Sequence, residues 1–543
     1  PYTTLFRSKN VKKVTSTVGP EQEYFLIDKE LYQKRKDLVF CNRTLFGAKA
    51  PKGQELEDHY YGQIKPRVAE FMKDLDEELW KLGILSKTKH NEVAPCQHEM
   101  APIFTTTNLS ADQNQLTMEI MKKVAQKHGM ICILSEKPFD GVNGSGKHNN
   151  WSISTDSGEN LLEPGKTPED NAQFLLILTA IIKAVDEHQD LLRISVASRG
   201  NDLRLGGNEN PPAIISMFLG DELTSILESI MNGTPYDKKA CQEMKLGIDS
   251  IPAFPKDNTD RNRTSPFAFT GNKFEFRSLG SSMSISCTNV MINTIVADTF
   301  AQFCDELENV AGNQNDFNKS LNELIKRTLN EHKRIIFNGD GYSEEWVKEA
   351  KNRGLLNLPT TTDALPYYVR KENIDLFSRH GIYKENEVFA RYEIQMEEYA
   401  KLVNIEVKTM LDLAEKEIIP AVLKYEGELC KIAEMRNRIL IGEKISSISS
   451  DGATSEQTEN YITLELIRPI DNLVQSAIKS LDKLRELKIK TQEIKDATAR
   501  AKTYTDDVLP VMKELRSYCD DLEKKIPAEY WPFPTYADIL FQV

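Results

Sequence analysis

The stretch Asn-Gly-Ser-Gly-Lys-His-Asn-Asn-Trp-Ser at residues 143–152 constrains the fold more than any other part of the chain. Its two glycines predict a tight turn that lets backbone amides approach an anionic ligand, because glycine has no Cβ. The residues after the turn alternate as they do in a β-strand, so His148, Asn150 and Ser152 share one face. The opposite face carries Trp151. We therefore predict a strand that forms the wall of a ligand site.

Carboxylates recur on three further segments that we predict as strands. These glutamates are Glu21, Glu23, Glu92, Glu99 and Glu275. Any one pair of them is typical of an edge-strand salt bridge, but five carboxylates and a histidine on four apolar strands indicate a cation site. Oxygen-rich sites with little sulfur suit Mg²⁺ or Mn²⁺ better than zinc. Together with Arg277 and the glycine turn, they predict metal-assisted phosphoryl transfer to or from a carboxylate.

The order and spacing of these motifs resemble glutamine synthetase. Gly-Pro-Glu-x-Glu begins at residue 19, Asn-Glu-Val-Ala-Pro at residue 91, and Glu-Phe-Arg at residue 275. Lys-Pro at residue 137 precedes Asn-Gly-Ser-Gly-x-His. The residues around Lys147 and Asn150 resemble the type III subfamily, because types I and II usually carry Met in place of Lys147 and His in place of Asn150.

The resemblance implies an α+β fold. It predicts a glutamine-synthetase-like catalytic domain, in which an antiparallel sheet forms a half-barrel with surrounding helices, followed by an α-helical C-terminal domain. We expect the catalytic domain to span residues 9–310 and the helical extension to span residues 311–543. Residues 1–8 match the translation of a common sequencing adapter. We therefore expect that the family's N-terminal β-grasp domain is missing.

The resemblance also implies a role for each matching residue, beginning with two divalent ions, Mg²⁺ or Mn²⁺. The ion nearer glutamate would take three carboxylates, namely Glu23, Glu92 and Glu99. The ion nearer the phosphates would take two carboxylates and an imidazole, namely Glu21, His148 and Glu275.

Substrate positions follow from the same resemblance. The glutamate-binding positions are Asn143, Gly144, Arg204 and Arg277. The nucleotide-binding positions are Asn150, Ser152 and Lys273. Two residues are implied as catalytic, namely the flap-loop Glu209 and Arg263, which would face the transferred phosphate.

The implied reaction joins ammonia to the γ-carboxylate of glutamate with ATP, through a γ-glutamyl phosphate. Two alternatives stay open. A related ligase would join glutamate to a polyamine or another amine, and its amine pocket would lack an anionic flap, so Glu209 favours ammonia. A non-catalytic structural relative would be expected to lose metal ligands, whereas all six matching positions are filled.

Composition narrows the possible partners and location. A net charge of −13 argues against a nucleic-acid partner, and no apolar run reaches the roughly 18–20 residues of a membrane span. Eight cysteines without a C-x-x-C pair predict reduced thiols in a cytoplasmic protein. The partners implied by the resemblance are glutamate, ammonia and ATP, together with further copies of the chain in a homo-oligomer of stacked rings, a dodecamer at full length.

Apolar periodicity predicts helices over residues 61–83, 108–129, 167–192 and 284–310, and long amphipathic helices over residues 385–435 and 461–524. Glycine, asparagine and proline in residues 194–215 and 251–282 predict substrate-covering loops. A loop is expected at residues 446–452. The tail Tyr-Trp-Pro-Phe-Pro at residues 530–534 either docks on the catalytic body or a neighbouring subunit, or covers local apolar surface.

Overall fold

The computed structural model of this protein describes residues 11–207, 211–236, 243–244, 254–255, 264–308, 314–447 and 461–543. The chain divides into two compact units. The first unit comprises Pro1–Leu26, Leu56–Lys137 and Val142–Gln395. The second unit comprises Ile27–Glu55, Pro138–Gly141 and Met396–Val543. The second unit therefore combines the C-terminal helices with two short segments from the N-terminal part of the chain.

The strands, in chain order, are β1 Val14–Asp28, β2 Ser86–Asn91, β3 Gln97–Pro102, β4 Thr105–Thr106, β5 Met130–Ile133, β6 Gly146–Thr155, β7 Met217–Phe218, β8 Glu243–Met244, β9 Phe254–Pro255, β10 Phe267–Phe269 and β11 Phe274–Gly280. Within the described residues, the main sheet has the order β2-β3-β1-β6-β11-β10-β7, with β4 and β5 also paired to β1. The pairings along this order are antiparallel except β10–β7, which is parallel. The predicted α+β class is confirmed, with a mixed rather than purely antiparallel sheet.

The register of the central strands aligns the predicted site residues. Glu21 of β1 lies opposite His148 of β6, and Glu23 lies opposite Glu99 of β3. Because side chains alternate between the two faces of a sheet, these pairings hold the carboxylates and the imidazole on one face.

The α-helices, in chain order, are α1 Lys29–Gln33, α2 Lys36–Cys41, α3 Pro66–Trp80, α4 Thr107–Lys127, α5 Ala172–Glu187, α6 Gln189–Ile194, α7 Arg199–Arg204, α8 Gly220–Asn232, α9 Ile285–Glu308, α10 Gln314–His332, α11 Glu344–Asn352, α12 Thr361–Ala364, α13 Lys371–Arg379, α14 Glu385–Leu413, α15 Ile419–Ser447, α16 Tyr461–Gln492, α17 Ala497–Thr503, α18 Leu509–Glu523 and α19 Tyr536–Leu540. Single 3₁₀ turns cover Pro168–Asp170, Lys333–Ile335 and Leu365–Tyr367. None of the described helices combines the length and the apolar character that a bilayer crossing requires.

The helices of the first unit follow the predicted pattern closely. The predicted helices over residues 61–83, 108–129 and 284–310 correspond to α3, α4 and α9. The helix predicted over residues 167–192 is instead a 3₁₀ turn followed by α5 and α6, which are separated at His188. The segments 194–215 and 251–282, predicted as loops, also contain α7 and β10, so the loop prediction is wrong there. The strand predicted around Glu275 is confirmed as β11.

Helix α5 forms the centre of the helical layer in the first unit. Its cap residue Asn171 accepts a hydrogen bond from the Phe174 amide (3.0 Å) and so satisfies one free donor of the first turn. The helix is apolar on almost every side, and it packs against both α9 and α10. This surrounding contact explains why residues such as Ile177 and Ile181 are fully buried.

The back face of β6 is fixed by buried amides. Asn149 and Asn289 of α9 exchange reciprocal hydrogen bonds of 3.1 and 3.0 Å. The Trp151 indole donates to Asn293 Oδ1 at 2.9 Å. The face of β6 that carries Trp151 therefore also makes specific polar contacts, which set the position of α9 along the strand.

The second unit is built from long amphipathic helices, as predicted, but each run is interrupted. A π-helical turn, Ala414–Ile418, lies between α14 and α15, and another, Tyr504–Val508, lies between α17 and α18. Helix α16 packs against both α15 and α18, which buries apolar side chains such as Leu484 and Leu515. The loop expected at residues 446–452 lies outside the described residues from residue 448 onward.

The Asn149–Asn289 pair gives a stability test. Asn289→Ala should lower the free energy of unfolding by about 1–3 kcal/mol, because it leaves the buried Asn149 amide without its partner. The midpoint of thermal unfolding measures this change. Asn330→Ala, on the exposed face of α10, is the matched control and should leave the midpoint nearly unchanged. Equal midpoints for the two variants would contradict the role of the buried pair.

Candidate active site

Three neighbouring strands bring their polar side chains together at His148. The imidazole Nδ1 lies 3.1 Å from Glu21 Oε2 on β1 and 2.8 Å from Glu275 Oε1 on β11. The His148 side chain is only 3% exposed. Since these strands are adjacent in the sheet, their register places an imidazole between two carboxylates.

The electrostatics of this group follow from burial and charge. Burial alone would lower the pKa of His148, but the carboxylates of Glu275 and Glu21 outweigh it and raise the pKa to about 10. Burial alone would raise the pKa of Glu275, yet the charges of His148 and Arg277 lower it well below its usual range. The group therefore stabilises negative carboxylates beside a positive charge.

A second acidic group lies beside the first. Burial raises the pKa of Glu99 well above its usual value, and the charges of Glu21, Glu92 and Glu23 add to this effect. The pKa of Glu23 is also raised, by burial and then by Glu92. Carboxylates crowded in this way can all be ionised only when a cation offsets their repulsion.

The donor atoms are close enough to hold metal ions. The ligand atoms of Glu21, Glu99 and His148 all lie within 4.8 Å of one another, and so do those of His90, Glu92 and Glu99. Glu99 belongs to both groups, so the two groups adjoin. Sets dominated by carboxylate oxygens, with one imidazole each, fit hard divalent cations.

Sequence reasoning missed His90. Its Nε2 lies 3.0 Å from Glu92 Oε1 and 3.6 Å from Glu99 Oε1. The available signal was its position two residues before Glu92 at the end of β2, since residues two apart share a face of a strand. All six predicted ligands also lie at this face, and Glu99 belongs to both groups, whereas the prediction gave two sets with no shared residue.

The glycine turn serves the protein's own contacts. The Gly146 amide donates to Glu23 Oε2 (2.6 Å), and the Ser145 amide donates to the Glu136 carbonyl (2.8 Å). These amides therefore bind protein acceptors, and the prediction that they face an anionic ligand is wrong for them. A Cβ on Gly146 would overlap the Arg204 guanidinium, which explains why glycine is required there.

The glutamate-binding candidates lie around this turn. Arg204 is fully buried and donates to the carbonyls of Arg277 (3.2 Å) and Leu279 (3.4 Å). Its Nε has no hydrogen-bond partner among the described residues. The Arg277 guanidinium lies 3.2 Å from Glu275 Oε2. The other two candidates, Asn143 and Gly144, lead directly into the glycine turn.

The nucleotide-binding candidates continue along β6 beyond His148. Asn150 Nδ2 donates to Glu21 Oε1 (3.0 Å), and Asn150 Oδ1 accepts a hydrogen bond from Lys273 Nζ. Ser152 Oγ donates to the Asn272 carbonyl (3.1 Å). The structure therefore brings these three candidates together along β6, next to the His148 group.

The two predicted catalytic residues, Glu209 and Arg263, lie outside the described residues, and their roles stay predictions. The described ends of the Glu209 loop are held together, since the Gly206 amide donates to the Pro211 carbonyl at 3.0 Å.

Comparison with known proteins identifies the family. The model described as "Glutamine synthetase, catalytic domain" matches residues 4–200, and "Glutamine synthetase C-terminal domain" matches residues 320–436. The chain is 48% identical over 542 residues to a glutamine synthetase of Butyrivibrio fibrisolvens, covering 99% of this chain and 74% of that protein. The chain belongs to the glutamine synthetase family.

Other relatives support the type III resemblance. A type-3 glutamine synthetase of Dictyostelium discoideum is 46% identical, with 99% of this chain and 71% of that protein covered. A glutamine synthetase of Bacteroides fragilis is 42% identical, with 98% and 72% covered. The predicted family, its enzymatic class and the resemblance to type III are confirmed. Members of this family generally use ATP and divalent metal ions.

Glu99→Gln tests the crowded acidic site of this glutamine synthetase. The change keeps the side-chain shape and removes one negative charge, so the metal-free protein should gain about 1 kcal/mol of stability. Stabilisation by added Mn²⁺ should fall at the same time, because a ligand shared by both groups is weakened. Thermal unfolding with and without Mn²⁺ measures both effects.

Glu119→Gln is the matched control, because Glu119 is an exposed helix residue paired with Lys123. It should change neither quantity appreciably. A Glu99→Gln protein that keeps the wild-type response to Mn²⁺ would contradict the metal-site assignment.

Proposed function

We propose that this glutamine synthetase forms glutamine from glutamate and ammonia at the acidic face of β1, β3, β6 and β11. The observation that carries the proposal is the burial of the carboxylates around His148 and Glu99, in a chain that belongs to this family. A non-catalytic relative has no need for such a costly cluster. Ligation of another amine is disfavoured, because the relatives in the comparison are named glutamine synthetases.

The reaction requires activation of a poor electrophile. Ammonia does not displace an oxygen from a carboxylate at a useful rate, so the γ-carboxylate oxygen first attacks the γ-phosphorus of ATP and ADP leaves. Ammonia then attacks the carbonyl carbon of the acyl phosphate, phosphate leaves, and the extra proton on nitrogen goes to a base. Divalent cations, when bound, neutralise charge on the transferring phosphoryl group.

The metal ligands are proposed in two sets, for Mg²⁺ or Mn²⁺. One set is Glu23, Glu92 and Glu99, and the other is Glu21, His148 and Glu275. The raised pKa values of Glu23 and Glu99 support this proposal, because burial and then the neighbouring carboxylates disfavour their charged forms, which a bound cation would favour. The nearby imidazole of His90 supports its inclusion beside Glu92.

Cationic and polar side chains would orient the substrates. We propose that Arg277 pairs with the glutamate carboxylate and that Asn143, Gly144 and Arg204 complete its binding site. The buried Arg204 Nε without a described partner supports a polar ligand nearby. Arg263 would balance charge on the transferred phosphoryl group.

The nucleotide would lie along the outer part of β6. Asn150, Ser152 and Lys273 are the proposed contacts, and Lys273 would supply positive charge for phosphate. The hydrogen bond between Lys273 and Asn150 supports a shared site for these residues.

Further parts of the proposal concern organisation. The catalytic domain would span residues 9–310 and the helical extension residues 311–543. Assembly into stacked rings, a dodecamer at full length, is proposed from the family. A cytoplasmic location is supported by the described cysteines, which are thiols rather than disulfides.

Glu209 is proposed as the base that attracts ammonium and accepts its proton. Glu209→Ala should slow amide formation by about 10²-fold or more, the usual range for a lost general base, and leave acyl-phosphate formation largely intact. Rapid-quench measurement of the two half-reactions separates these steps. Partial rescue at high pH, where ammonia replaces ammonium, supports the role.

Glu345→Ala, at an exposed position of α11, is the control and should leave both half-reactions unchanged. Equal loss of the two half-reactions in Glu209→Ala would reject the base assignment. The overall function is tested on the full chain by phosphate release with ammonia, hydroxylamine or a polyamine as acceptor. Activity with the polyamine alone would reject glutamine formation.

A further inference from the structure

Pro138–Gly141, the segment just before the proposed glutamate-binding residues Asn143 and Gly144, belongs to the second unit. Pro138–Gly141 groups with the second unit, although both of its flanking residues group with the first. The chain then continues through Val142 into Asn143 and Gly144. Anything that holds Pro138–Gly141 therefore acts, through a very short length of backbone, on the proposed glutamate-binding residues.

The side chain of Tyr536, in the C-terminal tail, holds this segment. The Tyr536 hydroxyl accepts hydrogen bonds from the Asp140 amide (3.0 Å) and from Arg516 Nη2 (2.9 Å). Its ring meets the Phe139 ring edge-on, with centroids 5.6 Å apart. Both rings are buried.

The direction of each hydrogen bond in this network can be assigned. The Asp140 amide and the Arg516 guanidinium are donors only, so the Tyr536 proton goes to Thr44 Oγ1, 2.6 Å away. Thr44 Oγ1 in turn donates to the Pro138 carbonyl at 2.9 Å, and the Thr44 amide donates to the same carbonyl at 2.8 Å. The Tyr536 hydroxyl therefore makes three hydrogen bonds, and it holds Pro138–Gly141 directly at Asp140 and through Thr44 at Pro138.

The surrounding residues are shaped to admit Tyr536. Gly47 has a φ of 150°, and a Cβ there would overlap the Tyr536 ring. Thr535 and Asp538 form a capping box that fixes the start of α19 and hence the position of Tyr536. Upstream in the tail, the Phe533 ring lies 4.4 Å from the Arg35 guanidinium carbon. The tail therefore docks at a defined place within the second unit.

The residues on either side of Pro138–Gly141, which belong to the first unit, are hydrogen-bonded to one another. The Ser145 amide donates to the Glu136 carbonyl at 2.8 Å, and Lys137 Nζ donates to the Val142 carbonyl. Residues 136–145 therefore form a loop. Hydrogen bonds between its own residues join its two ends, and the C-terminal tail holds the Pro138–Gly141 segment in its middle. Asn143 and Gly144 lie between these two anchors.

We propose that Tyr536 is a positioning residue for glutamate binding, which acts by fixing Pro138–Gly141 and thereby Asn143 and Gly144. The proposal rests on the proposed function, because the roles of Asn143 and Gly144 belong to it. In this proposal the aromatic C-terminal tail affects the affinity for glutamate, although it does not contact glutamate itself.

Tyr536→Phe is the direct test, because it removes one hydroxyl and keeps the ring. The KM for glutamate should rise roughly 3- to 10-fold, the effect of losing about one positioning hydrogen bond. The KM for ATP and kcat should change less than about 2-fold, since most of the metal and nucleotide residues are held by the pairing of β1, β3, β6 and β11. Tyr530→Phe is the matched control, because the Tyr530 ring packs on Tyr425 (5.2 Å) instead of on the loop.

Hydrogen exchange gives a second readout that needs no activity. Tyr536→Phe should speed exchange of the peptide over residues 138–146, because the Asp140 amide loses its acceptor. Gly47→Ala keeps the Tyr536 hydroxyl but places a methyl group against the Tyr536 ring. It should therefore also speed exchange of this peptide. Both measurements use the full chain.

The possible results separate this inference from the proposed function. Unchanged loop exchange together with an unchanged KM for glutamate in Tyr536→Phe would overturn the positioning role. Equal increases in the KM values for glutamate and ATP would also overturn it, because they indicate a general structural defect. If the wild-type chain shows no glutamate-dependent phosphate release, the proposed function has failed, and loop exchange alone then decides whether Tyr536 positions the loop.

Discussion

The electrostatic repulsion among buried carboxylates is the constraint on which the rest of the site depends. The strand pairings place Glu21 opposite His148 and Glu23 opposite Glu99, so the fold itself forces these charges together. His148 offsets part of the repulsion, as its raised pKa indicates. The remaining charge needs a cation or a proton. A sheet that forces such a cluster together, at the expense of its own stability, has the chemical character of a divalent-cation site.

Much of this site could be predicted from the sequence, because it depends on a local rule. Alternation along a strand places His148, Asn150 and Ser152 on one face without knowledge of the fold. The same rule could have found His90, two residues before Glu92. It could not show that the Gly146 amide binds Glu23, because the two residues are far apart in sequence and the contact depends on how β1 and β6 align.

The second unit contains features that local sequence patterns do not predict. Its amphipathic helices were predictable, whereas the π-helical turns and the individual residues that the tail contacts were not. Arg43 binds Glu406 (2.6 Å), and Arg35 donates to the Pro534 carbonyl (2.9 Å), so residues almost 500 positions apart form one core. Such pairs carry no periodic signal. Since β1 continues directly into this unit, the strand that holds Glu21 and Glu23 is covalently joined to the segments that the C-terminal helices hold.

Counting bound Mn²⁺ by electron paramagnetic resonance on the full chain tests the central claim most directly. The account predicts two ions per chain in the wild-type protein, because two adjoining ligand groups share Glu99. It also predicts that Glu21→Gln and Glu92→Gln each weaken a different one of the two ions. A protein that binds no Mn²⁺, or one whose binding is unaffected by either substitution, would contradict the account.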